Sequence, residues 1–465
     1  MVFSSAVFLL AFLPVVFICN FVLPKKLSNF WLLAASLVFY AWGEPRLVLL
    51  LLVSVLLNWA AGLLLSASRG GARKLILAAG IICDLGILGY YKYAGFLART
   101  VNSVLGRDVL PVLQIALPIG ISFFTFQAIS YIIDVYRGDT EASKSLVNVA
   151  LYISFFPQLI AGPIVKYKDI NKQIKDRTVR WTDVSDGFKR FIYGLGKKVL
   201  ISNVLGLCVD TVYAYEIALI DPKTAWIAAL AYTFQIYYDF SGYSDMAIGL
   251  GKMFGFTILE NFNYPYTSGS VTEFWRRWHI SLGSWFREYV YIPLGGNRKG
   301  TLRTYINLMI VFFLTGLWHG AGMSFVIWGL YHGLLTIIER IGLKKLLDKT
   351  KILSGIYTFF AVCIGWVLFR AERTLTAVKY ISCMLLPWRY SGPGTEAWNY
   401  MDWKTVFTFG CAVLGMGFIQ VSLPDKVKKR WNGSSAEAVY CVVILIFCLA
   451  AIASDTYNPF IYFQF

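Results

Sequence analysis

The chain has 465 residues, of which 57% are hydrophobic and 15% charged, and its formal net charge is +17. Soluble proteins are about 45–50% apolar and about 25% charged, so this composition excludes both an ordinary soluble enzyme and a disordered chain. Its long continuous apolar runs exclude a porin-type barrel, whose strands are alternating segments of about ten residues. The sequence therefore predicts an all-α protein that crosses a membrane several times.

Candidate membrane spans recur along the whole chain. A crossing helix needs about 20 mostly apolar residues. Apolar runs lie near 2–23, 29–43, 46–66, 75–91, 110–135, 147–164, 187–219, 223–257, 303–318, 321–338, 353–370, 404–422 and 436–453. Some runs are too long for one crossing and others are too short. We predict about 11 transmembrane helices plus re-entrant or interfacial helices, in one membrane domain over residues 1–465.

Basic residues predict the topology, because Lys and Arg collect in cytoplasmic loops. Lys25 and Lys26 follow the first apolar run, whereas a cleavable signal peptide carries its positive charges first. We therefore expect a retained first span with the N-terminus outside the cytoplasmic membrane of a bacterium. One apolar run follows the basic cluster Lys426 to Arg430, so we expect the C-terminus outside as well. The basic residues lie in short loops without a nucleic-acid-binding motif, so the lipid bilayer is an expected partner and nucleic acid is not.

Cysteine and histidine spacing argues against a bound metal. The eight cysteines lie in or beside apolar segments without CxxC spacing, which is typical of small buried side chains. The three histidines, His279, His319 and His332, show no HxxxH pair. We expect neither a metal site nor a disulfide framework.

Two aspartates, Asp239 and Asp245, interrupt the apolar run YTFQIYYDFSGYSDMAIGLGKMFG. An ionisable residue at membrane depth is a functional candidate by default. The alternative is that each carboxylate lies at a helix end and pairs with a Lys or Arg. The sequence leaves both interpretations open.

The segment 261–300 is too charged to cross a membrane and too aromatic to be a solvated loop. Arginines and tryptophans are interleaved in it: Arg276, Arg277, Arg287, Arg298, Trp275, Trp278 and Trp285. Backbone at membrane depth that is not a continuous span is tolerated where protein buries it or where it lines a cavity. We predict a helix at the interface, or dipping through it, that lines a polar cavity on the basic side.

His319 is the strongest candidate catalytic residue. It ends the apolar run VFFLTGLWHG, and histidine is the side chain best suited to accept and return a proton near neutral pH. The alternative is a neutral histidine buried between helices and hydrogen-bonded there.

Five segments together resemble the membrane-bound O-acyltransferase (MBOAT) superfamily, and most closely its bacterial branch for alginate and peptidoglycan O-acetylation. They are LPIGISFFTFQAISYIIDVYRG (117–138), FFPQLIAGPI (155–164), YYDFSGYSDMAIGLGKMFGF (237–256), EFWRRWHISLGSWFREYVYIPLGGNRKG (273–300) and FFLTGLWHGAGMSFVIWGLYHG (312–333). The resemblance implies helices around a central tunnel. It also implies that His319 is the family's near-invariant histidine and His279 its second one.

The resemblance further implies transfer of an acyl group from a cytoplasmic thioester to a separate extracytoplasmic SGNH-type transferase, which esterifies a polysaccharide. The donor substrate would be acetyl-CoA, with no bound cofactor. The predicted tunnel residues are Asp239, Trp278, Trp318, Arg276, Arg277 and Arg287. The arginines would attract the phosphates of coenzyme A, or equally an acidic carrier protein.

The last residues, 455–465, form a short aromatic tail that we expect outside the membrane. Its aromatic residues are typical of an interfacial belt. Related acyl-transfer systems have a similar terminal motif whose tyrosine accepts the acyl group, so by resemblance Tyr462 is a candidate acyl carrier.

Three other functions compete with O-acetylation. One is D-alanyl transfer to teichoic acid from a carrier protein. A second is a secondary transporter, although the internal repeats common in transporters are not visible in this sequence. A third is a scaffold that has lost catalysis, which the presence of both His279 and His319 disfavours.

Overall fold

The computed structural model describes residues 1–390, 400–454 and 457–461. In those residues the chain is built from helices and connecting loops, which confirms the all-α prediction. The chain divides into two compact units. Unit 1 comprises Met1–Phe191 and Ser244–Leu259, and unit 2 comprises Ile192–Tyr243 and Glu260–Phe465.

Eight helices belong to unit 1. They are α1 (Phe8–Val22), α2 (Lys25–Ala41), α3 (Val48–Ala67), α4 (Gly71–Leu105), α5 (Ile121–Arg137), α6 (Leu146–Ser154), α7 (Phe156–Leu159) and α8 (Tyr167–Lys175). Their core includes the fully buried rings of Phe3, Phe8, Phe39 and Phe156.

The remaining helices build unit 2, although α9 and α10 each run across the boundary between the units. They are α9 (Trp181–Tyr213), α10 (Pro222–Met253), α11 (Val271–Arg277), α12 (Ile280–Phe286), α13 (Thr301–His319), α14 (Met323–Leu347), α15 (Lys351–Arg370), α16 (Thr374–Leu385), α17 (Trp403–Ser422), α18 (Asp425–Trp431) and α19 (Ser435–Ser454).

Within the described residues, eight helices are long and apolar enough to cross a membrane. They are α3, α4, α9, α13, α14, α15, α17 and α19. Two further apolar helices, α1 and α16, are shorter. The protein is therefore a multi-pass membrane protein, and the figure of about 11 crossings stays a prediction.

The apolar run 147–164 does not form a crossing helix. Its helix α6 has nine residues, or about 14 Å at the usual rise per residue, against a hydrocarbon core of about 30 Å. The chain then turns at Phe155 into α7, which has four residues and Pro157 in its first turn. The run is apolar because residues 149–167 are buried inside the protein.

Helix α10 is buried on every side from Ala231 to Leu250. A helix buried all round has no polar face turned to water, which explains its continuous apolar and aromatic sequence. Asp239 and Asp245 lie within this buried stretch, so each carboxylate needs a partner inside the protein.

Helices α13 and α14 cross at close range because each contributes a glycine. A Cβ atom on Gly316 would lie 2.3 Å from the carbonyl oxygen of Phe325, and one on Gly329 would lie 2.3 Å from that of Phe312. Only glycine permits such an approach. The crossing brings the end of α13, where His319 lies, against Trp328 of α14.

Candidate active site

The predicted interfacial segment contains two short α-helices, α11 and α12, of seven residues each, and α12 continues directly into a π-helical turn over Arg287–Tyr291. Ser270 begins α11, and its hydroxyl accepts a hydrogen bond from the N–H of Glu273 at 3.1 Å. The Glu273 carboxylate in turn accepts from the N–H of Gly269 at 3.0 Å. This reciprocal cap stabilises a helix start, and neither helix is long enough to cross a bilayer.

A buried carboxylate from α14 holds the first turn of α11. The Glu339 carboxylate accepts hydrogen bonds from the N–H of Val271 at 2.6 Å, the N–H of Thr272 at 2.9 Å and the Thr272 hydroxyl at 2.6 Å. The negative charge also faces the positive end of the helix dipole. Glu339 therefore fixes helix α11, which carries Trp275, Arg276 and Arg277.

Replacing Glu339 by leucine should lower the free energy of unfolding by about 3 kcal/mol, because it leaves buried N–H donors without an acceptor at about 1–3 kcal/mol each. The measurement is thermal unfolding of the purified protein in detergent. Glu339→Gln is the matched control, since its amide oxygen still accepts from α11. Equal midpoints for the two variants would contradict this role.

The aromatic and basic side chains of this segment differ in how deeply they are buried. Trp278 and Trp285 are buried, whereas Arg276 and Arg287 are exposed. Arg277 is half-buried and forms an ion pair with Glu273 at 2.6 Å. The exposed Arg298 and Lys299 follow in the next loop.

His279 connects α11 to α12 in an unusual backbone conformation. Its φ of +47° lies in the left-handed region, which non-glycine residues seldom adopt. Backbone hydrogen bonds hold it there: Asn263 N–H donates to Arg277 O at 2.9 Å, and Ile280 N–H donates to Asn261 O at 3.0 Å. Strain of this kind often accompanies functional sites.

One asparagine favours the tautomer of His279 with the proton on Nδ1. Asn261 Oδ1 accepts from the backbone N–H of Ser281 at 3.1 Å, so this atom is an oxygen and an acceptor. The same oxygen lies 3.2 Å from His279 Nδ1, and the Ser281 hydroxyl lies 3.5 Å from that nitrogen; a protonated Nδ1 donates to the Asn261 oxygen. The other nitrogen, Nε2, is then an unprotonated acceptor, and in the described chain it is buried without a hydrogen-bond partner.

Burial also keeps His279 neutral. The residue lies outside the eight candidate spans, and desolvation lowers the pKa of its imidazole to about 3. At neutral pH it can therefore accept a hydrogen bond through Nε2, and it carries no positive charge.

His319 lies next to His279 in a buried aromatic enclosure, with 6.3 Å between the ring centroids of the two histidines. Its ring contacts those of Trp318, Trp328 and Phe369 at 4.9–5.2 Å. The structure thus brings together the two histidines that lie 40 positions apart in the sequence.

The third histidine, His332, extends the enclosure. Its ring is fully buried and lies 5.0 Å from that of Trp275 and 5.3 Å from that of Trp328. Trp278 lies farther along, against Trp366 at 4.8 Å. Sequence analysis did not single out Trp328 or Trp366, since tryptophans in apolar helices carry no distinguishing signal.

Both aspartates of α10 form ion pairs, as the structural alternative expected, but each lies inside that helix and not at its end. Asp239 pairs with Lys198 at 2.6 Å, and Asp245 pairs with Arg190 at 2.7 Å. Asp239 was predicted to line a tunnel. That role stays a prediction; in the structure Asp239 contacts Lys198 and the N–H of Ile461, which donates to its Oδ2 at 2.9 Å.

The described part of the tail, residues 457–461, packs into unit 2. Phe460 and Ile461 are buried, and the Tyr457 hydroxyl donates to Asp210 at 2.6 Å. Tyr462, the candidate acyl carrier, lies outside the described residues. In the described part of the chain no group of three His, Cys, Asp or Glu side chains could hold a metal ion.

Comparison with known proteins places this site in a family. The sequence pattern of the membrane-bound O-acyltransferase family, MBOAT, matches residues 141–358. The probable alginate O-acetylase AlgI of Pseudomonas putida is 40% identical over 495 residues, covering 100% of both chains. The peptidoglycan O-acetyltransferase of Helicobacter pylori is 37% identical, over 83% of this chain and 80% of that protein. The teichoic acid D-alanyltransferase of Bacillus subtilis is 29% identical, over 55% and 69% respectively.

The fold and the similarity together define a polytopic membrane enzyme that transfers acyl groups to hydroxyls. The chain belongs to the membrane-bound O-acyltransferase family. This confirms the resemblance drawn from the five sequence segments. The matched region contains both His279 and His319.

Proposed function

We propose that the protein takes an acetyl group from a cytoplasmic thioester and delivers it to the outer face of the membrane, for O-acetylation of an envelope polysaccharide such as alginate or peptidoglycan. The observation that carries this proposal is the pair of neighbouring buried histidines, His279 and His319. The names of two similar proteins, an alginate O-acetylase and a peptidoglycan O-acetyltransferase, support the choice of acetyl.

His319 acts as the general base. It takes the proton from an acceptor hydroxyl, whose oxygen then attacks the thioester carbonyl carbon. The carbon–oxygen bond forms, the carbon–sulfur bond breaks, and the thiol leaves with the proton that His319 returns. His279 assists as a positioning residue: its unprotonated Nε2 accepts the hydrogen bond of the hydroxyl as it binds, and the single proton then passes to His319.

The donor is acetyl-CoA, bound as a substrate. The exposed Arg276 and Arg287 and the half-buried Arg277 supply positive charge for its phosphates. An acidic acyl-carrier protein would be attracted by the same charge. Binding of acetyl-CoA to the purified enzyme, compared with an acetylated carrier, separates the two donors.

The first acceptor is the Tyr462 hydroxyl, which carries the acetyl ester to a separate extracytoplasmic SGNH-type transferase. This role requires the C-terminal tail to lie outside, in line with our expectation that both termini lie outside the bacterial cytoplasmic membrane. D-alanyl transfer to teichoic acid is the alternative, favoured by the 29% identity to a teichoic acid D-alanyltransferase.

The test is a count of base-labile acetyl and D-alanyl esters on envelope polymers. Cells that lack the protein are compared with cells in which it is restored. We expect acetyl esters to disappear and return with the protein. A matching change in D-alanyl esters would favour the alternative, and no change in either ester would contradict acyl transfer to the envelope.

A further inference from the structure

A buried ion pair in unit 2 has no part in the chemistry described above. Lys198 lies in α9 and Asp239 in α10, and both side chains are about 98% buried, with 2% and 1% exposed. Isolating two charges from water is costly, and such a pair is not by itself evidence of stability. Each charge therefore needs further polar partners, and the surroundings of the pair supply them.

Those further partners are two backbone groups of the C-terminal tail. Lys198 Nζ donates a hydrogen bond to the carbonyl oxygen of Pro459. Asp239 Oδ2 accepts from the N–H of Ile461 at 2.9 Å. The Lys198 ammonium thus contacts an acceptor of the tail, and the Asp239 carboxylate contacts a donor. These two backbone groups lie two residues apart on the same segment.

Contacts on both sides of this point hold the same segment. The ring of Phe460 stacks on that of Tyr243, with 4.8 Å between centroids. Upstream, Asn203 donates to the carbonyl of Tyr457 at 3.3 Å. The Tyr457 hydroxyl donates to Asp210, which is itself paired with Arg370 at 2.9 Å.

We propose that Lys198 and Asp239 are positioning residues that clamp the C-terminal tail by its backbone at Pro459 and Ile461, and so set where the next residue, Tyr462, is presented. The clamp contacts only backbone groups of the tail. It therefore depends on the Lys198–Asp239 ion pair and not on the side chains of the tail. Its consequence for acyl transfer rests on the proposed function, whereas the docking of the tail does not.

The test measures how accessible the tail is in native membranes. Cys19, Cys83 and Cys411, the free cysteines that are not buried, are replaced by serine, and Ile461→Cys provides a reporter at a buried position. The measurement is the rate of maleimide labelling, resolved by peptide mass spectrometry. The native Cys448, fully buried in α19, reports unfolding in the same sample.

The decisive variant is Lys198→Met combined with Asp239→Leu. Removing one charge would leave the other buried and unpaired, whereas replacing both with apolar side chains of similar volume is often tolerated. We expect labelling of Ile461→Cys to rise at least about tenfold while Cys448 stays protected. An unchanged rate with Cys448 protected would overturn the proposal.

A second variant exchanges the charges, Lys198→Asp with Asp239→Lys. It keeps an ion pair but sets an anion against the Pro459 carbonyl and a cation against the Ile461 N–H, so the tail should again be released. If Cys448 becomes accessible in both variants, the pair holds the fold itself and the clamp is wrong.

Acetyl-ester counts separate the clamp from the proposed function. A released tail with a protected Cys448 should abolish polymer acetylation, and retained acetylation would overturn the positioning role. Tyr462→Phe with the pair intact tests the carrier alone. If that variant keeps full acetylation and a docked tail, the carrier role of Tyr462 fails while the clamp stands.

Discussion

Replacing His319 by alanine should reduce polymer acetylation at least about 100-fold, because general base catalysis contributes about 10²–10⁴ to such a step. The imidazole ends α13 inside an enclosure of Trp318, Trp328 and Phe369. The measurement is acetyl ester per sugar in cells that accumulate equal amounts of each variant.

His332→Ala is the matched control for this experiment. It removes the same imidazole from the same aromatic enclosure, and His332 contacts Trp275 and Trp328 without a role in the proposed transfer. We expect it to retain most of the activity of the parent protein. Equal losses in the two variants would show that the enclosure needs both rings for packing, and that His319 is not the base.

Replacing Asn261 by leucine should reduce acetylation at least about tenfold, although Asn261 need not touch the substrate. Its Oδ1 holds the proton of His279 on Nδ1 and so leaves Nε2 as the acceptor. Leucine removes that constraint, and a histidine held in the wrong tautomer loses much of its catalytic effect, as in serine proteases whose triad aspartate is replaced by asparagine. The readout is again acetyl ester per sugar, together with protein abundance.

Two comparison variants make the Asn261 result specific. Asn261→Asp keeps an oxygen in reach of His279 Nδ1, so it should restore much of the activity lost with leucine. Asn307→Leu makes the same substitution at another fully buried asparagine, one that donates to the carbonyl of Gly296 at 2.9 Å. If Asn307→Leu lowers acetylation as much as Asn261→Leu, the effect comes from lost packing rather than from the tautomer of His279.

The proposed role of His279 also predicts the pH dependence of the enzyme. Its pKa is lowered to about 3 by burial, so the residue stays neutral throughout the range in which bacteria grow. Any loss of activity between about pH 6 and 7 in a pH–rate profile therefore cannot come from protonation of His279.

Local sequence was sufficient to predict the fold class, the membrane location and the family. Apolar runs near 20 residues indicate helices in a bilayer. Apart from a closed barrel, only a helix forms all of its backbone hydrogen bonds internally there. The quoted segments singled out His279 and His319 as candidates, and the structure places their rings 6.3 Å apart between centroids. These features are readable because periodicity, charge placement and motifs are properties of neighbouring residues.

Tertiary structure alone decided the partners of the buried polar groups. Nothing near Asp239 in the sequence indicates Lys198 or the tail, and nothing near His279 indicates that Asn261 selects its tautomer. The run 147–164 reads like a span, yet it is apolar because protein surrounds it. Burial in lipid and burial in protein demand the same apolar side chains. Only the packed fold distinguishes them, and only it shows which distant group satisfies each buried charge.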